Sequence, residues 1–274
     1  MLTDPDHIRS ALARRGFHFS KARGQNFLTD ASVPSRMADF ASKGTAVLEI
    51  GAGFGALTEA LCQTAGHVLA LESDKRLLPV LSGNLAAFDN LTLMEADALT
   101  CDIDELFSGF PELEPMVISN LPYSITSPLL EKIIRCRARE SVVMVQLEVA
   151  QRLTAKPGGK DYSSFGVFCS VFREVSILFE VPPDCFYPRP SVTSAVIGLA
   201  RRDKPLVPPE EQDLFFRTVR GAFGQRRKQL KNALSAAFPG KDVESALHSA
   251  GIDPALRGET LGIDEFLRLS QFLR

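Results

Sequence analysis

No stretch of this 274-residue sequence approaches the ~18 consecutive apolar residues that a membrane-spanning helix needs. Its first 23 residues, MLTDPDHIRSALARRGFHFSKAR, also lack the unbroken apolar segment of a secretory signal. A membrane partner is therefore not expected, and the cytoplasm is the expected compartment. Cysteine is sparse: five residues (62, 101, 136, 169 and 185), an odd number with no CxxC pair. That spacing speaks against a disulfide framework and against zinc, and the thiols read as small buried hydrophobes. No metal is expected. Of the four histidines (7, 18, 67 and 248), none falls in a candidate site. Internal repeats and low-complexity tracts are missing too. Acidic residues are absent from residues 7–29, which carry Arg9, Arg14, Arg15, Lys21 and Arg23. They are absent again from residues 214–240, which carry Arg217, Arg220, Arg226, Arg227, Lys228 and Lys231. The net charge of −2 hides this segregation, and a polyanion is accommodated if the fold brings the two basic ends onto one face.

The composition, 45% hydrophobic and 23% charged, is that of an ordinary globular protein. From about residue 45, short β-rich runs alternate with amphipathic stretches. The runs are AVLEI (46–50), HVLALE (67–72), LTLMEA (91–96), MVIS (116–119) and SVVMVQLE (141–148). This pattern predicts βαβ units and a doubly wound α/β sheet covered on both faces. VSILFEV (175–181) and TSAVIGLA (193–200), joined by PPDCFYPRPS without a long helix, predict an antiparallel hairpin at the far side of that sheet. Pro205, Pro208 and Pro209 mark a linker, and the remainder reads as helical, including RRKQLKNALSAAF. The expected division is an N-terminal arm with a Rossmann-like domain over 1–203 and a small all-α domain over 204–274.

LEIGAGFG (48–55) is a strand running into a glycine-rich turn and a helix, the arrangement that lets backbone approach a nucleoside. The spacing is GxGxG, and no P-loop Lys-Ser/Thr follows, so an NTPase is not indicated. Glu72 ends the next strand, 21 residues beyond Gly51, where a carboxylate accepts ribose hydroxyls; Asp97 follows the third strand, placed for an adenine amino group. A dinucleotide and S-adenosylmethionine both fit these features.

The fourth strand decides between them, because it ends on Asn120-Leu121-Pro122-Tyr123. An exocyclic amine on an aromatic base is a poor nucleophile, its lone pair being delocalised into the ring. To attack a methyl sulfonium it must pyramidalise, and two acceptors stabilise that geometry: the side-chain carbonyl of Asn120 and the main-chain carbonyl of Leu121. Pro122 fixes its own φ and restricts Leu121. Tyr123 offers a face on which a base can stack.

These motifs, together with GQNFL (24–28), FYPRPSVTS (186–194) and RRKQLKN (226–232), resemble the bacterial KsgA/RsmA family of ribosomal RNA adenine dimethyltransferases. The resemblance runs in family order over nearly the whole chain. It implies a Rossmann-like S-adenosylmethionine-dependent methyltransferase fold with a helical RNA- and ribosome-binding domain. The implied substrate is a pair of adjacent adenosines in the 3′-terminal hairpin loop of small-subunit rRNA, converted to N6,N6-dimethyladenosine within a pre-ribosomal particle late in ribosome biogenesis. A monomer is expected. By resemblance, Asn26 and Leu28 close over the cofactor; Gly51, Gly53, Glu72, Asp97 and Asn120 line it; and Asn120, Leu121, Pro122 and Tyr123 form the catalytic motif. Phe186 faces Tyr123 across the target base, while Arg226, Arg227, Lys228 and Lys231 contact RNA. Related enzymes acting on large-subunit rRNA typically carry Ile at the position of Leu121 and lack the RRKxLxN segment. A pure binding protein on this scaffold would need neither the cofactor set nor the catalytic motif.

Overall fold

A strand buried on both faces of a parallel sheet must be apolar along its length, because helices cover both sides. In the computed structural model, which describes residues 1–14 and 26–274, such runs form β2 (Thr45–Ile50), β3 (His67–Glu72) and the inner parts of β5 (Glu114–Asn120) and β6 (Glu140–Gln146), while β4 (Leu91–Glu95) is a partly exposed edge strand. The remaining strands are β1 (Phe27–Leu28), β7 (Arg173–Val181), β8 (Phe186–Tyr187) and β9 (Ser194–Arg201). Helices α1 (Pro5–Ala13), α2 (Ser32–Ala38), α3 (Ala56–Thr64), α4 (Leu78–Asn84), α5 (Ile103–Leu106) and α6 (Thr126–Arg135) accompany the first half of the sheet. They are followed by α7 (Leu147–Thr154) and α8 (Ser164–Phe172), and then by α9 (Gln212–Gly224), α10 (Leu230–Ala237), α11 (Val243–Ser249) and α12 (Ile263–Phe272).

The seven-stranded sheet has the order β4-β3-β2-β5-β6-β9-β7. Neighbours from β4 to β6 pair in parallel, and β9 runs antiparallel to β6. The doubly wound α/β fold is thus present. The two late strands are neighbours as expected, with β9 inside and β7 at the edge. Chain order reverses between β2 and β5, the position at which open α/β sheets bind ligands. Their backbone pairing ends at Leu48 and Val117. Beyond it the buried Ser119 hydroxyl bridges the widening gap, donating to the Ile50 carbonyl (2.7 Å) and accepting from the Ile50 N–H (3.2 Å).

The basic N-terminal stretch contains a helix, α1, with its N-terminus capped by the Asp4 carboxylate and Ile8 and Leu12 buried one turn apart. Arg15, Lys21, Arg23, Gly24 and Gln25 lie outside the described residues. Two compact units result. One comprises Met1–Ala150 and Ser176–Arg201; the other comprises Gln151–Val175 and Arg202–Arg274. Residues 151–175 therefore belong with the C-terminal helices, whereas the sequence reading assigned all of 1–203 to the sheet domain. The cause is α8, apolar on most of its circumference: Val167 and Val171 pack with Phe215, Leu234 and Phe266 in the second core, and the Tyr162 hydroxyl donates to the Leu261 carbonyl. Among the described residues no helix is long and apolar enough to cross a membrane.

Candidate active site

Three left-handed glycines shape the floor of a cleft at the reversal of strand order. Gly51, Gly53 and Gly55 have φ of 79°, 61° and 95°, conformations costly to any residue with a Cβ. The Leu71 carbonyl holds the turn from below, accepting from the N–H groups of Gly51 (2.8 Å) and Ala52 (3.1 Å). A Cβ on Gly53 would stand 3.1 Å from the Phe27 ring, and one on Gly51 would stand 3.4 Å from Pro122. Lacking them, the turn lets β1 approach on one side and the Asn-Leu-Pro-Tyr segment on the other.

Glu72, at the end of β3, is buried beside this turn. Its Oε2 accepts from the Gly53 N–H (2.9 Å) and its Oε1 from the Asp74 N–H (2.7 Å). Burial raises its pKa, while the N–H groups of Asp74 and Gly53 oppose the rise. Each carboxylate oxygen has lone pairs to spare for a ligand hydroxyl. Asp97 is exposed just beyond β4, and its Oδ1 accepts from the Leu99 N–H (2.9 Å).

Asn120 is the last residue of β5, opposite Met144 of β6, and the Leu121 N–H still donates to the Met144 carbonyl at 3.1 Å. The sheet thereby fixes the motif up to Leu121. Beyond it, the Pro122 carbonyl accepts from the Thr126 hydroxyl (3.0 Å) and the Ile125 N–H (3.2 Å), fastening the turn to the start of α6. The Tyr123 hydroxyl is 2.5 Å from Oγ of Ser194, a fully buried residue at the start of β9. Burial raises the phenol's pKa, partly offset by that hydrogen bond, so the ring carries a neutral hydroxyl.

A cavity of about 510 Å³, within the usual range for small-molecule sites, brings these residues together. Asn26, Leu28, Gly51, Gly53, Glu72, Asp97, Asn120, Leu121, Pro122 and Tyr123 all line it. Phe186 does not: it is 4% exposed in the sheet-domain core, and its backbone is paired with Leu28 across β1 and β8.

Sequence reasoning missed Glu49. This carboxyl lines the same cavity yet is only 2% exposed, and its Oε2 has no hydrogen-bond partner among the described residues. Burial drives its pKa up to about 8. The nearby Thr58 hydroxyl moderates the rise without forming a well-shaped hydrogen bond, and the negative charge of Glu72 adds to it. A lone acid in an otherwise apolar parallel strand was the available signal.

The basic segment 226–228 lies in the turn between α9 and α10 and not in a helix, because α9 stops when Gln225 leaves helical geometry. Its members differ in what they do. Arg226 pairs with Glu259 (3.1 Å) and donates to the carbonyls of Lys160 (2.9 Å) and Tyr162 (3.2 Å), which gives it a structural task. Arg227 and Lys228 are exposed, and Lys231 lies 3.5 Å from Glu244.

Ribosomal RNA adenine dimethylase is the family that matches this sequence, over residues 16–274. The chain belongs to that family. Among curated relatives, the ribosomal RNA small subunit methyltransferase A of Geobacillus thermodenitrificans is 44% identical, covering 99% of this chain and 97% of the relative. The protein of the same name from Anoxybacillus flavithermus is 42% identical over 99% and 96%. Of solved structures, the 23S rRNA methyltransferase ErmE superposes with a TM-score of 0.68 at 28% identity, over 90% of this chain and 99% of that one. A dimethyladenosine transferase from Plasmodium falciparum gives a TM-score of 0.75 at 24% identity, over 89% and 95%, which speaks to the fold. In this member of the adenine dimethylases the glycine turn and the Asn-Leu-Pro-Tyr segment line one cavity.

Proposed function

We propose that the protein transfers methyl groups from S-adenosylmethionine to N6 of two adjacent adenosines in the 3′-terminal hairpin loop of small-subunit rRNA, giving N6,N6-dimethyladenosine. The observation that carries this reading is the approach of Pro122 to Gly51 within a single cavity, which sets the motif for an aromatic amine against the turn for a nucleoside. The residues present fit this donor. Glu72 suits ribose hydroxyls, Asp97 an adenine amino group, and the unpartnered buried oxygen of Glu49 a cationic group. When bound, the donor supplies an electrophilic methyl on a good leaving group. The chain's own contribution is positioning. Asn120 and the Leu121 carbonyl accept from the two hydrogens of the target amine and favour its pyramidal form. Tyr123, held by Ser194, gives the base a flat surface. An unpaired loop adenosine avoids the cost of extraction from a duplex.

Phe186, buried behind the cavity, is proposed to position Leu28, with which it pairs across β1 and β8, at the cofactor side. Arg227, Lys228 and Lys231 are proposed to meet the RNA backbone, with Arg226 holding their turn in shape. The proposed setting is a monomer acting on a pre-ribosomal particle in the cytoplasm, with the sheet domain catalytic and the helical region binding RNA. Identities of 42–44% to small-subunit enzymes over almost the whole chain, against 28% to ErmE, favour the small-subunit substrate. The test is incubation with labelled S-adenosylmethionine and small-subunit particles lacking the modification, with large-subunit rRNA as competitor, followed by nucleoside digestion. Label in dimethyladenosine from the small-subunit RNA alone supports the proposal, and label confined to the large-subunit RNA overturns it.

A further inference from the structure

Lys132 lies on the second turn of α6, half-buried and outside the cavity lining. Its ammonium donates to three carbonyls of one loop: Ala98 (2.9 Å), Leu99 (2.8 Å) and Cys101 (2.5 Å). An ammonium has three hydrogens, so its capacity is filled by backbone alone. The loop is the one that follows β4, and it presents Asp97 and Leu99 to the cavity. Its remaining internal bonds are local: Asp97 accepts from Leu99 N–H through its side chain, and from Thr100 N–H, the Thr100 hydroxyl and the Cys101 thiol through its carbonyl. Three carbonyl dipoles converging on one point need a cation between them, and Lys132 supplies it from within the chain.

The same helix begins at the catalytic motif, where Thr126 holds the Pro122 carbonyl. Thr126 and Lys132 are six residues apart on α6, a rise of ~9 Å. One rigid helix thus fixes the acceptor motif at its start and the Asp97 loop two turns later. We infer that Lys132 is a positioning residue for the methyl donor: it holds the loop that receives the adenine end, in register with Asn120–Tyr123. This inference rests on the proposed assignment of Asp97 to the adenine end of S-adenosylmethionine.

The test is equilibrium dialysis of labelled S-adenosylmethionine against the full chain and its variants, with far-UV circular dichroism and melting temperature as controls for folding. Lys132→Met keeps the unbranched stem, one heavy atom shorter, and removes the donors. It is expected to weaken binding about tenfold or more, equivalent to ~1.4 kcal/mol, while kcat at saturating donor stays near wild type. Lys132→Arg is expected to restore much of the affinity. Lys132→Gln, which retains two neutral donors, replaces the methionine variant if that one does not fold. Combining Lys132→Met with Asp97→Ala should weaken binding by less than the product of the single effects, since both act through one loop. A folded Lys132→Met or Lys132→Gln protein with wild-type affinity overturns the inference, as does a loss confined to kcat. Wild-type affinity in Asp97→Ala alone would instead remove Asp97 from the adenine end and leave the Lys132 anchor to be judged by its own variants.

Discussion

Replacing Glu49 with glutamine should stabilise the ligand-free protein in a strongly pH-dependent way. The carboxyl is fully buried, and its pKa stands at about 8 against 4.5 for the unburied group. A group whose folded pKa is raised contributes stability fully present below the unfolded value and lost as pH climbs through the folded value. In wild type this loss runs from about pH 4.5 to about pH 8, at ~1.4 kcal/mol per pH unit. Relative to its value at pH 4.5, the difference between variant and wild type should grow by roughly 3 kcal/mol at pH 7 and level off near ~5 kcal/mol above pH 8, order-of-magnitude values that follow from the size of the shift. Glutamine matches the shape of the protonated acid and does not titrate, so its extra N–H donor adds only an offset that is the same at every pH. Urea denaturation of both proteins at half-unit intervals from pH 5 to 9, without ligand, measures it. Parallel stability curves would refute the reasoning, since they would mean that Glu49 ionises as freely in the folded chain as in the unfolded one.

Other consequences concern the cleft and the basic turn. Gly53→Ala places a Cβ in left-handed backbone 3.1 Å from the Phe27 ring, so it should cost ~1–2 kcal/mol in chemical denaturation and weaken binding of S-adenosylmethionine. Ser194→Ala frees the Tyr123 hydroxyl and should lower kcat by roughly fivefold with donor affinity unchanged in dialysis; Tyr123→Phe should add nothing to it, and full additivity would argue against their acting as a pair. Arg226→Ala should lower the melting temperature by several degrees. Arg227→Ala and Lys228→Ala should leave it alone and each reduce the salt dependence of RNA binding by about one unit of slope.

The inner strands of the sheet were legible because burial on both faces demands unbroken apolar runs, and the position of the cleft followed from their order. Asn120–Tyr123 and the glycine turn stood out because both contain residues that a strand end or helix start does not otherwise require. Less visible were features that depend on tertiary partners. Strands β1 and β8 have two residues each, too few for any periodicity, yet they tie Leu28 to Phe186. Helix α1 was obscured by its basic residues, although Ile8 and Leu12 give it a buried stripe. The turn at 226–229 looks helical by composition and is set instead by the bonds of Arg226 to the backbone of Lys160 and Tyr162. The placement of residues 151–175 depends on which core receives the apolar α8, and local pattern does not encode that choice. Lys132 and Ser194 act on groups 31–34 and 71 residues away, so no spacing rule reveals them.

The most direct test of the central claim, that Asn120 positions the target amine at the methyl donor, is a single-turnover measurement with Asn120→Ala. Labelled S-adenosylmethionine would be pre-bound at saturation and mixed with small-subunit particles lacking the modification. Removing one acceptor from the developing charge should slow formation of N6-methyladenosine and N6,N6-dimethyladenosine by ~10²-fold or more, with particle binding retained. A variant that methylates at the wild-type rate under these conditions would contradict the account.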